Sequence, residues 1–162
     1  MKNNRSMKRR GFTLVELLIV IVVIGVLSAM MMLSSTEAVS SAKASNIISN
    51  LRNLKTAALS LYTASLDKVA TTEPTIGAVQ RYLNSEGVND DYSIAFHGVT
   101  NKNYDDAKWY VTCKVDDANV KTKLKARAGS VGLLAGGSTN KTDPGDNPAE
   151  YNNEAVVCMR VR

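Results

Sequence analysis

From Phe12 to Leu33 the chain runs for 22 residues with hardly a polar side chain, and one of the exceptions is a carboxylate, Glu16. As an α-helix this stretch is about 33 Å long, close to the roughly 30 Å hydrocarbon core of a bilayer. A segment of that kind is expected to cross a membrane. A carboxylate inside it costs several kcal/mol unless a partner compensates it, so Glu16 is expected to have a function. A secretory signal peptide would have a shorter apolar region followed by small residues at a cleavage site. Here the small residue, Gly11, comes first.

Charge divides the chain at the same place. The formal net charge is +5, and Lys2, Arg5, Lys8, Arg9 and Arg10 supply five cations with no acid before Phe12. Subtracting these five from 20 basic residues leaves 15, against 15 acidic ones. The basic balance therefore belongs to the leader, and overall charge gives no firm nucleic-acid site. A basic segment ahead of a first apolar helix keeps the N-terminus cytoplasmic and sends the rest of the chain outward.

The string Gly11-Phe12-Thr13-Leu14-Val15-Glu16, after a short basic leader and before an apolar run containing Gly25, resembles the type IV pilin family. That family includes the pseudopilins of type II secretion and competence systems. The resemblance implies cleavage between Gly11 and Phe12 by a membrane-embedded prepilin peptidase, with methylation of the new Phe12 amine. It also implies that Glu16 pairs with the N-terminal amine of a neighbouring subunit in the filament core, which would offset two burial costs and set the axial stagger. Many pilins carry a proline where this chain has Leu33, so the helix-bending device of those relatives is not expected here. Gly25 is the weak point that remains, or else a site of close helix packing.

Beyond the apolar run, Val39, Ala42, Ile47, Leu51, Leu54, Ala58, Leu61, Tyr62 and Leu66 recur at spacings of three and four. This pattern predicts that one helix continues to about Val69 with an apolar stripe on one face. Thr75 is placed to cap a short helix through Ile76, Val79, Tyr82 and Leu83, ended by Gly87. Period-two alternation predicts strands around Tyr92, Ile94 and Phe96 and around Trp109, Val111, Cys113 and Val115, paired antiparallel across a loop at 101–106. A last strand is expected over Ala155–Val161. Residues 117–128 fit a short basic helix or an irregular strand. The expected fold class is α+β, a long N-terminal helix on a small antiparallel sheet, as the pilin resemblance also implies. The domains follow as a removable leader (1–11), a membrane and filament-core helix (12–33), its amphipathic continuation (34–69) and a globular headgroup (70–162).

Cys113 and Cys158 fall in the part predicted to leave the cytoplasm, where disulfides persist. A bridge between them would stabilise by roughly 4 kcal/mol on the chain-entropy model, and pilins often carry one in this region. Two free buried thiols are the alternative. The Gly-rich stretch 129–138 lacks the endings and spacing of a phosphate loop. Asp143, Asp146 and Glu150 are oxygen donors of the kind calcium takes, but three acids in a polar loop are more often only solvated. Asn140-Lys141-Thr142 fits a glycosylation sequon. His97 is the one histidine, and neither cysteine has a nucleophile context, so no catalytic constellation and no cofactor are expected.

The resemblance therefore implies a homo-oligomeric filament subunit and not an enzyme. It would sit first in the cytoplasmic membrane as a single-pass protein and then in an extracellular pilus serving adhesion, twitching motility or DNA uptake. Its partners would be the prepilin peptidase and methyltransferase and the inner-membrane assembly platform. A pseudopilin of a secretion system is the alternative, and a simple single-pass anchor would leave Gly11-Phe12 and Glu16 unexplained.

Overall fold

A computed structural model describes residues 11–64, 75–80, 90–99, 107–137, 143–145 and 147–162. The chain divides into two compact units, Met1–Ala38 and Val39–Arg162. Helix α1, Leu14–Ala64, contributes its first part to one unit and its second part to the other.

In the first unit the helix is apolar on every side. Among the described residues the large hydrophobic side chains of this unit run from 48 % exposed at Val20 to 87 % exposed at Phe12, just ahead of the helix. A helix that is hydrophobic all round needs a protein or lipid environment to bury it. The backbone stays helical through Gly25, and no atom lies within 4 Å of where a β-carbon would stand there.

The second unit is built on the amphipathic part of α1. Ala44, Ile48, Leu51, Leu54, Ala57, Ala58 and Leu61 are buried against a four-stranded antiparallel sheet. Its strands are β1 (Tyr92–His97), β2 (Lys108–Lys114), β3 (Leu134–Ala135) and β4 (Val156–Arg160), in the order β1-β2-β4-β3. Trp109 is fully buried, with edge-to-face contacts to Tyr62 at 5.5 Å and to Phe96 at 5.3 Å. The expected pair of strands is present, with Tyr92 opposite Cys113 and Phe96 opposite Trp109.

The buried stripe differs at its start from the sequence pattern. Val39 and Ala42 are exposed, whereas Ser40, Ala44 and Ile48 are buried. Arg127 lies beside this part of the helix, where its guanidinium donates to Ser45 Oγ at 2.6 Å and to Ser41 Oγ at 3.0 Å. The hydroxyls at these positions satisfy a cation that an alkyl stripe would leave unpaired.

Residues 118–125 settle as helix α3 (Ala118–Lys125), since the side chain of Asp117 accepts from the backbone N–H of Asn119 at 2.9 Å and of Val120 at 3.4 Å. That is an N-cap, and Val120 and Leu124, four apart, form the buried edge. The Gly-rich stretch holds a one-turn helix α4 (Ala128–Val131), a left-handed Gly132 that ends it, and β3. Gly132 and Leu133 both donate to Ala128 O, at 2.8 and 3.0 Å, which closes the helix. At Gly136 a β-carbon would lie 2.4 Å from Val156 Cγ1, so glycine is required for β3 to approach β4.

Helix α2, Ile76–Gln80, begins where Thr75 caps it, its Oγ1 accepting from Ala78 N at 3.4 Å. Tyr82, Leu83, Gly87, the loop 101–106, Leu66 and the sequon lie outside the described residues.

The expected Cys113–Cys158 bridge is not made; both thiols are free and buried. The register explains why. Cys158 stands opposite Thr112, and Cys113 opposite Val157. Neighbouring residues along a strand point to opposite faces, so an offset of one residue puts the two sulfurs on opposite sides of the sheet. Cys113 packs in the main core, and Cys158 packs with Ala95, Tyr110 and Leu134 on the other face.

Candidate processing and assembly site

At the start of α1 the side chains of Thr13 and Glu16 close on each other. Glu16 Oε2 accepts from Thr13 N–H and from Thr13 Oγ1–H, both at 2.8 Å, and Thr13 Oγ1 accepts from Glu16 N–H at 3.3 Å. This is a capping box, in which a Thr and the Glu three residues later satisfy helix-end donors reciprocally. The carboxylate also sits at the positive end of the helix dipole. Thr13 and Glu16 thus form a T-x-x-E before an apolar run, which is itself a helix-start signature.

Both Thr13 donors lie on the C-terminal side of Gly11-Phe12. A cut there would therefore leave the capping box whole and place a new amine one residue before it. Among the described residues Phe12 is the most exposed large apolar side chain, and the space around the Gly11 α-carbon is open, with nothing within 4 Å of a β-carbon. The folded chain itself makes no demand for glycine at position 11.

In the second unit the other sequence candidates are occupied with structural contacts. Asp143 Oδ2 lies 2.6 Å from His97 Nδ1, and Asp143 Oδ1 accepts from Gly145 N at 2.8 Å. Tyr110 OH donates to Gly145 O at 3.4 Å. These bonds hold residues 143–145 against the sheet face that carries Cys158. The His97–Asp143 pair was not foreseen, because its members are far apart in sequence. Glu150 lies beside Gly129 and shares no metal-sized cluster with other His, Cys, Asp or Glu among the described residues, while Asp146 is outside them. Burial pushes the Cys113 and Cys158 thiols up to about 12, so neither is a ready nucleophile at neutral pH.

Residues 6–32 match the prokaryotic N-terminal methylation motif. No curated protein and no solved structure matches the chain. The long N-terminal helix and the four-stranded antiparallel sheet make the α+β arrangement of the pilin fold. Among the described residues one helix is long and apolar enough to cross a membrane, and it begins inside the matched segment. The chain thus carries, at the head of this helix, the N-terminal methylation motif characteristic of type IV pilins and pseudopilins.

Proposed function

We propose that the chain is a structural, non-enzymatic subunit of a type IV pilus. A prepilin peptidase cuts it between Gly11 and Phe12, and the Phe12 amine is methylated. Until assembly residues 12–33 anchor the subunit in the cytoplasmic membrane, and polymerisation on the inner-membrane platform then buries this apolar surface between neighbouring helices of an extracellular filament. The observation that carries the proposal is a single carboxylate at the head of an apolar, exposed helical segment, directly after the motif junction. In the free subunit Thr13 satisfies Glu16; in the filament the Phe12 amine of a neighbour supplies the counter-charge.

The alternative is a pseudopilin, whose filament stays short and periplasmic. With Cys113 and Cys158 free, a disulfide no longer counts in favour of the pilin. Mechanical shearing of cells followed by intact mass measurement separates the two. A pilus subunit appears in the sheared fraction without its first eleven residues, methylated at Phe12 and with two free thiols. The same processed chain found only in membranes identifies a pseudopilin, and an uncleaved chain beginning at Met1 overturns both.

A further inference from the structure

Helix α3 carries Lys121 and Lys125, four residues apart and so on one side, next to the buried pair Val120 and Leu124. No acid occurs between Ala118 and Gly137, although the chain beyond Gly11 has no net charge. Among the described residues no ion pair or side-chain hydrogen bond engages Lys121 or Lys125. Arg127, directly after α3, is bound through its guanidinium to Ser41 and Ser45 of α1, and Lys43 lies 3.8 Å from the capping Asp117. The positive segment is therefore fastened to the stretch of α1 that leaves the apolar run. From Leu33 to Ser41 is eight residues, which can span at most about 29 Å even when fully extended. A membrane that holds the apolar run is therefore within the chain's reach of Ser41.

We infer that this face of α3, with Lys43 and Arg127, docks on anionic phospholipid headgroups at the outer surface of the cytoplasmic membrane before assembly. The inference rests on the membrane-anchored stage proposed above. A juxtamembrane cluster of Lys and Arg is attracted to an anionic surface over a Debye length, about 10 Å at 0.1 M salt. A second copy of the chain is a poorer occupant. Among the described residues, Asp143 is held by His97 and Gly145, Glu154 by the backbone of Asn152, and Asp116 by Lys114, so these acids of a second copy are already engaged. Docking would restrain the headgroup while the subunit waits in the membrane, and extraction into a filament would release it.

The test uses the full chain reconstituted in phosphatidylcholine vesicles with and without phosphatidylglycerol, with each lysine's reaction with an amine reagent followed by peptide mass spectrometry. Lys121 and Lys125 are expected to react about fivefold more slowly in the anionic vesicles, with recovery in roughly 0.5 M salt, while Lys55 on α1 reacts equally in both. The double variant Lys121→Gln, Lys125→Gln is expected to remove the lipid-dependent difference at Lys43. Equal rates at Lys121 and Lys125 in both lipids would overturn the inference. So would protection that persists in neutral vesicles and grows with protein density, which would point to a second copy. Failure of the chain to float with vesicles would overturn the anchoring itself, and the inference with it.

Discussion

Glu16 can act in two ways, and a single substitution separates them. Gln accepts the Thr13 hydrogen bonds of a capping box as Glu does but cannot neutralise an amine. Glu16→Gln is therefore expected to be inserted and cleaved normally yet to give little or no sheared filament. Normal filament yield from it would mean that capping alone is what position 16 requires. The cysteines are also decided residue by residue. Both thiols are buried with values pushed up to about 12, so a thiol reagent at pH 8 is expected to label neither in the folded protein and both in denaturant without reductant. Failure to label after denaturation would restore the disulfide.

Among the elements, α1 is where sequence and structure agree in kind and differ in phase. Its period-3.6 stripe is legible, and Leu51, Leu54, Ala58 and Leu61 lie where the pattern puts them. Periodicity could not show that Arg127, 82 residues beyond Ser45, seats on Ser41 and Ser45 beside a stripe that starts at Ser40 and Ala44. Leu54→Ala is accordingly expected to destabilise the protein in detergent by about 2–5 kcal/mol, and Val39→Ala by less than about 0.5 kcal/mol. Comparable losses in denaturant unfolding at the two positions would refute this phase. At the sheet edge, Gly136→Ala drives a methyl group into Val156 and is expected to cost about 1–3 kcal/mol in the same assay.

For the molecule as a whole, buried tyrosines and cysteines among the described residues make stability depend on alkaline pH. Burial pushes Tyr92 and Tyr151 from an ordinary value of 10.0 to about 12, and Cys113 and Cys158 from 9.0 to about 12. Each acid is held neutral in the folded state above the pH at which the unfolded chain ionises. The unfolded state therefore binds fewer protons in that window, and stability falls as pH rises. The contribution is full below about pH 9 and is lost toward pH 12. Melting temperatures between pH 8 and 11 should fall, and replacing both cysteines by Ala should make the early part of that fall shallower. A flat profile would contradict the burial of these groups.

The apolar run, its acid, the Gly11-Phe12 junction and the alternating strands are properties of neighbours in the chain, and local periodicity and composition were enough to read them. The N-cap at Asp117 and the capping box at Thr13 were equally local, and their signatures stand in the sequence. Three features needed the tertiary structure: the faces on which Cys113 and Cys158 lie, the seat of Arg127 on Ser41 and Ser45, and the His97–Asp143 contact. Each depends on which distant segments meet and in what register. A shift of one residue in strand pairing reverses the face of every side chain, and nothing within either strand specifies that shift.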